Sequence, residues 1–129
     1  MSTLKADTIQ STSGGAATLT KQSAAKAFVS FKGTSTVTVN DSQNISSVTD
    51  LDTGSYTPTF TNAMSNDTYS PAGGTFDSGE TSSSNYLDLY TAGSSTMAAG
   101  SLQVSTRGHT DGVRVDPTQV NVTIHGDLA

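Results

Sequence analysis

Apolar and polar residues alternate along much of this chain, in short runs separated by turn residues. Residues 27–32 and 37–39 each alternate with a period of two, and the Gly, Thr and Ser at 33–35 suit a turn between them. This arrangement predicts a β-hairpin. Apolar patterns at residues 45–48 and 55–61 predict two more strands, so the first half of the chain has the pattern of an antiparallel β structure.

The second half continues in the same way after a polar interval. Residues 85–91, 101–107 and 119–125 alternate, and a turn cluster at 108–112 separates the last two stretches. Both faces of the first stretch are partly apolar, which is typical of a strand covered on two sides. Residues 62–84 are rich in Ser, Gly, Asn and Thr, so we expect a long loop there.

Some details of the pattern lead to narrower expectations. Turn-forming residues cluster at 40–42 and 50–54. Pro58 lacks an N–H group, so its strand is expected at a sheet edge or at a bulge. Helix is nearly absent, and residues 24–28 and 97–99 are its only short candidates.

About seven short strands predict an all-β fold, namely a small antiparallel β-sandwich or barrel-like domain over residues 26–129. Residues 1–25 have a different pattern, in which Leu4, Ile9 and Leu19 are isolated apolar points among small and polar residues. One interpretation is a disordered leader. We favour an extended N-terminal arm whose apolar side chains dock on neighbouring subunits or on a larger assembly.

The composition limits how this domain is stabilised. The chain has 129 residues, enough for one domain, but only 33% are hydrophobic and 13% are charged. Ser and Thr together supply about a third of the residues. So little apolar surface predicts a thin core and burial against further copies of the chain. We therefore expect a homo-oligomer, most simply a trimer.

Charge and special residues exclude several classes of partner. The net charge is −5, and the six Lys and Arg residues are scattered, which argues against nucleic acid as a partner. The chain has no Cys, so disulfides and thiolate metal sites are excluded. No apolar run is long enough to span a bilayer, and the first residues lack an apolar signal region, so neither membrane insertion nor secretory export is expected.

No catalytic motif is present. The chain has neither the G-x-S-x-G nucleophile turn nor a phosphate-binding glycine loop. Glu80, the only Glu, lies among Ser and Gly residues, where a solvated carboxylate is expected. We therefore expect a protein without enzymatic activity and without a cofactor.

Metal sites have weak support. Asp50, Asp52 and Gly54 resemble the start of a calcium-binding loop, but the residues that should complete the loop are missing, so a turn is the better interpretation. His109 and His125 each precede an Asp by two positions. A histidine on a threefold axis would supply three ligands, one from each chain. Exposed histidines without a metal are the simpler interpretation.

The tyrosines are the best candidates for binding. Tyr69, Tyr86 and Tyr90 occur among Ser, Thr, Asn and Gly, which is the composition of adaptable recognition surfaces. Their rings could stack on the faces of sugars. The alternative is that they fill the thin core.

Several stretches of the chain also resemble a known family. These are residues 1–11, 14–15, 19–22, 25–34, 44–50 and 54–64, with a closing stretch at 120–126. They resemble the leader and the recurring domain pattern of tail-fibre and virion-surface proteins of tailed bacteriophages, marine ones especially. The family often has Trp where this chain has Phe28. The resemblance is clear up to Tyr69 and weakens after it.

The resemblance implies a trimeric, β-rich, non-enzymatic protein of the virion, on the surface of the tail or capsid. The expected function is that of a short tail fibre or fibre-like surface component that attaches to the particle and binds the host surface. The alternatives are a head decoration or cement protein and, less favoured, a polysaccharide-active tail spike. The implied partners are further copies of the chain, other virion proteins, and a host surface glycan or protein.

Overall fold

The computed structural model of the chain describes residues 12–13, 25–76, 85–88, 97–109 and 111–129. Within these ranges the chain forms ten strands and no helix, so nothing in them could cross a membrane as a helix. The strands are β1 (Ala27–Lys32), β2 (Thr38–Gln43), β3 (Ile45–Asp52), β4 (Ser55–Phe60), β5 (Ser70–Phe76), β6 (Asn85–Asp88), β7 (Met97–Ala98), β8 (Ser101–Leu102), β9 (Val104–Gly108) and β10 (Gln119–His125). The predicted all-β class is confirmed.

The strands form two antiparallel sheets. The first has four strands in the order β2-β1-β10-β5, so the first and last alternating stretches of the sequence, β1 and β10, lie at its centre. The second has six strands, with β4 at its centre: β3 pairs with one side of β4, and β8 and β9 follow one another along the other side. The predicted hairpin of β1 and β2 is confirmed.

One core joins the two sheets, because each sheet turns its apolar face inward. Along β1 the inward residues are buried and the intervening residues are more exposed, as the alternation predicts. The same holds for β10. The buried apolar side chains are Ala27, Val29, Phe31, Tyr56, Phe60, Met64, Tyr69, Leu102, Val104, Val120, Val122 and Ile124.

The chain passes from one sheet to the other at a corner formed by Asn44. This residue has a positive φ of 56°, which Asn tolerates better than most residues. Its side chain accepts a hydrogen bond from the Asn62 N–H (2.7 Å) and donates one to the Asn62 carbonyl (3.0 Å). The turn predicted at residues 40–42 is therefore wrong, because those residues continue β2 and the change of direction comes at Asn44.

Pro58 lies in the interior of a sheet, so the predicted edge position is wrong. It pairs with Val48 of β3 on one side. On the other side the pairing of β4 runs through Thr59 with β8 and through Tyr56 with β9, and it is interrupted between them. A residue without an N–H group is tolerated there, because the ladder is already broken at that point.

Two further expectations fail in the described residues. The long loop predicted at residues 62–84 contains β5, which pairs with β10 over its whole length. Both helix candidates belong to strands instead, since residues 27 and 28 open β1 and residues 97 and 98 form β7. Pairing with a neighbouring strand outweighed the local composition in each case.

Tyr56 connects three parts of the fold. Its ring meets that of Phe31 edge to face, with 5.0 Å between centroids, across the interface of the two sheets. Its hydroxyl donates a hydrogen bond of 2.6 Å to the carboxylate of Asp116, which also accepts one from the Gly54 N–H (2.7 Å). A Cβ at Gly33 would lie 2.4 Å from this hydroxyl, so only glycine fits there.

Replacing Tyr56 with Phe should lower the free energy of unfolding by about 1–3 kcal/mol, because the Asp116 carboxylate loses a buried donor. Urea denaturation measures the change. Tyr86→Phe is the matched control, because Tyr86 is 42% exposed, and it should change stability by less than about 0.5 kcal/mol. Equal effects of the two substitutions would contradict the anchoring role of Tyr56.

Candidate interaction surfaces

Strand β2 is an edge strand of the four-stranded sheet, and strand β3 is an edge strand of the six-stranded sheet. Strand β2 pairs only with β1, and β3 pairs only with β4, among the described residues. Because Asn44 joins them directly, residues 38–52 run along this side as one continuous stretch, which we call the edge ribbon. The outward N–H and C=O groups of such an edge are a template for pairing with another strand.

The side chains of the edge ribbon face solvent to an unusual extent. All six residues of β2 are exposed, and so are most of β3. The exposed residues include two large apolar ones, Val39 at 41% and Leu51 at 52%. The ribbon contains neither Pro nor Lys, but it carries three Asp residues, Asp41, Asp50 and Asp52, whose charge also opposes edge pairing.

Some features of the edge ribbon limit strand pairing at particular points along it. The register of β3 against β4 shifts between Ile45 and Ser47 and again between Asp50 and Asp52, and such bulges twist an edge away from a partner. The Asp41 carboxylate accepts a hydrogen bond from the adjacent Ser42 N–H (2.8 Å). The regular part of β3, residues 47–50, is the most accessible stretch for a further strand.

A polar cluster lies on the face of the six-stranded sheet that does not carry Tyr56 and Val104. The Arg107 Nε lies 3.1 Å from the Asp88 carboxylate, and the Gln103 amide donates to the Ser55 hydroxyl at 3.3 Å. Ser105 lies between these pairs, directly opposite both Ser55 and Asp88, and its buried hydroxyl has no hydrogen-bond partner among the described residues. No pocket was found among the described residues.

Tyr69 is a core residue, so its predicted place on a binding surface is not supported. It is 6% exposed, and its ring meets Phe60 edge to face with 5.6 Å between centroids. Its hydroxyl donates to the Ser101 carbonyl (2.7 Å) and lies 3.2 Å from that of Ala98. The alternative interpretation, that tyrosines fill the thin core, holds for Tyr69 and for Tyr56.

The other predicted site residues have different outcomes. Tyr86 is 42% exposed on β6, directly opposite Arg107, so its side chain is accessible to a partner. Tyr90 lies outside the described residues. So do the three residues of the predicted attachment arm, Leu4, Ile9 and Leu19.

The residues considered for metals fall into separate places. The Asp52 carboxylate accepts a hydrogen bond from the Thr53 N–H (2.8 Å) in the turn before β4, and Gly54 has a φ of 61° there, as the turn interpretation expects. His109 and His125 are exposed. No group of three His, Asp or Glu side chains within the described ranges is placed to hold a metal ion. Glu80 lies outside those ranges.

Sequence patterns did not single out two half-buried polar residues and one exposed aromatic residue of the four-stranded sheet. Gln119 and Asn121 are the polar positions of an alternating strand, so their outward direction was predictable but their chemistry was not. Phe76 ends a strand that the sequence did not predict, and it is 60% exposed. Asp116 lies in an irregular segment with no periodic signal.

Burial raises the pKa of the Tyr69 hydroxyl from 10.0 to about 12, chiefly because the tyrosinate would be desolvated. The pKa of Tyr56 is raised by the same cause and by the hydrogen bond to Asp116. Because the unfolded chain ionises at lower pH, stability from this source is intact below pH 10 and should fall between pH 10 and pH 12.

We expect Tyr69 alone to account for a loss of about 2–3 kcal/mol over that interval. Urea denaturation at a series of alkaline pH values, with tyrosinate absorbance read in parallel, measures it. Tyr69→Phe removes the ionisable group and should flatten this part of the pH dependence. An unchanged slope in Tyr69→Phe would show that the hydroxyl is not buried as described.

A comparison of the chain with protein-family models, with curated proteins and with solved structures found no match. The interpretation of these surfaces therefore depends on the residues of this chain, their geometry and the sequence resemblance given above.

Proposed function

We propose that this chain is a structural protein of a bacteriophage virion, a short tail fibre or fibre-like surface component. In this proposal it assembles as a homotrimer, attaches to the particle through residues 1–25 and presents its β domain to the host surface. No catalytic step is assigned to it. The proposed self-assembly is supported chiefly by the edge ribbon, an exposed stretch of two edge strands that contains neither Pro nor Lys.

The positions that carry the family resemblance support the virion part of the proposal. Several of them are core residues of the domain, including Phe31, Tyr56, Phe60 and Met64. Asn44, which is part of the same pattern, forms the corner between the two sheets. The resemblance therefore includes residues on which this fold depends.

The composition of the chain also supports self-association. Only 33% of the residues are hydrophobic, and two large apolar residues, Val39 and Leu51, are exposed on the edge ribbon. A chain with so thin a core gains stability by covering such apolar surface with further copies of itself.

A threefold ring requires a heterologous contact, in which one surface of a copy meets a different surface of the next copy. The edge ribbon suits one half of this contact, because its backbone groups can pair with a strand and Val39 and Leu51 can be covered at the same time. The net charge of −5 on each copy disfavours close approach without such specific pairing.

The double variant Val39→Lys, Leu51→Lys should shift the protein from trimer to monomer, because charged side chains on an edge oppose strand addition. Light scattering at micromolar concentration should give about three times the 13.2 kDa chain mass for the unchanged protein and one chain mass for the variant. Circular dichroism should show β structure in both.

Val113→Lys is the matched control, because Val113 is an exposed apolar residue (58%) outside the edge ribbon. It should leave the trimer intact. A monomeric unchanged protein that unfolds cooperatively would contradict self-association. If the double variant is still a trimer, the interface between copies does not lie at the edge ribbon.

Deleting residues 2–20 should leave a folded β domain that no longer incorporates into virions, because the deletion removes the proposed attachment segment while the described core residues all lie between residues 27 and 124. Immunogold imaging of particles with an antibody to the β domain tests incorporation and separates a tail from a head position. The internal control is the thermal unfolding of the truncated protein. Normal incorporation of the truncated chain would reverse the roles assigned to the two segments.

A further inference from the structure

The outer face of the four-stranded sheet brings an exposed aromatic ring next to two amide side chains. Phe76 of β5 lies directly opposite Gln119 of β10, and Gly74 lies directly opposite Asn121. Residues two apart in a strand share a face, so these four positions form a compact group, which we call the outer platform. Its ring, Phe76, is 60% exposed.

Hydrogen bonds hold the amides of the outer platform in place. The Gln119 Nε2 donates to the Ser30 hydroxyl of β1 (3.1 Å) and to the Asn121 Oδ1 (2.9 Å). The side-chain oxygen of Gln119 (Oε1) and the side-chain amide N–H groups of Asn121 (Nδ2) have no hydrogen-bond partner among the described residues. An acceptor and a donor pair are thus presented side by side in a fixed arrangement.

Glycine at position 74 leaves room above the sheet. A Cβ built there would have no heavy atom within 4 Å, whereas one at the inward-facing Gly73 would collide with the Asn121 backbone and with Leu87. The backbone at Phe76 is fixed by the Thr118 hydroxyl, which donates to its carbonyl oxygen (2.8 Å). The outer platform is therefore a flat shelf bordered by a ring on one side and by amides on the other.

We propose that the outer platform binds one ring of a neutral saccharide. A sugar ring offers an apolar C–H face to an aromatic side chain, and its hydroxyl groups both donate and accept, which matches a fixed amide donor and acceptor. None of the four residues carries a charge, and the chain as a whole is negative, so an uncharged saccharide fits this surface better than an acidic one.

A shallow site of this kind binds weakly, in the millimolar range, because it excludes little water. Three copies on one trimer would compensate through avidity. As a receptor site the outer platform rests on the proposed function, but sugar binding by the isolated protein is measured without the particle. A failure of virion incorporation and a failure of sugar binding are therefore distinguishable.

The test is a titration of isotope-labelled protein with glucose, galactose, mannose and N-acetylglucosamine, followed by NMR. At least one sugar should shift the side-chain amide signals of Gln119 and Asn121. Phe76→Ala should weaken that affinity about tenfold, because the stacking surface is lost. Gly74→Thr should abolish binding by filling the shelf, and the fold should tolerate it because the added Cβ meets no heavy atom within 4 Å and Thr favours strands.

Gly100→Thr is the matched control, since a Cβ at Gly100 also meets nothing within 4 Å but lies outside the outer platform. It should bind like the unchanged protein. The proposal is overturned if none of the four sugars shifts the two amides, or if Gly74→Thr binds as well as Gly100→Thr. It is also overturned if Phe76→Ala reduces the oligomer mass, because the ring would then be covered by a second copy of the chain.

Discussion

Tyr56 is the side chain through which the two sheets and the segment before β10 are held together. Its ring packs on Phe31 of the opposite sheet, and its hydroxyl is bonded to Asp116, far away in sequence. Asp116 also accepts from the Gly54 N–H, so one carboxylate fixes the turn before β4 and the loop after β9. Such a shared buried network is worth more than its separate bonds, and the close approach of Gly33 depends on it.

Because apolar residues are scarce, the surface available for contacts with partners is mostly polar. The inward faces of the sheets use most of the large apolar side chains, and Tyr69 belongs with them rather than with the surface. The remaining surface consists of sheet edges and polar outer faces. Edges offer backbone groups for strand pairing, while the outer faces offer side chains held in register by the sheet. We therefore propose the edge ribbon for assembly and the outer platform for recognition.

The residues discussed above fall into two groups, those that stabilise the core or the corner between the sheets and those that lie outside the core. Phe31, Phe60 and Asn44 lie where the family resemblance is clearest, and they stabilise the core and the corner between the sheets. Phe76 and Gly74 lie beyond that stretch, on β5 and outside the core of the domain. A scaffold that keeps its core residues while its outer positions change is how one fold serves different binding surfaces.

The sequence by itself determined the all-β class, the inward faces of β1 and β10 and the turn at Gly54, because each follows from alternation or turn chemistry within a few residues. Only the tertiary structure decided that Pro58 lies inside a sheet, that Tyr69 is buried and that residues 70–76 form a strand. Local patterns record which residues of a strand share a face. Residues far along the chain, such as Asp116 and Gln119, decide which strands become neighbours and what covers each face.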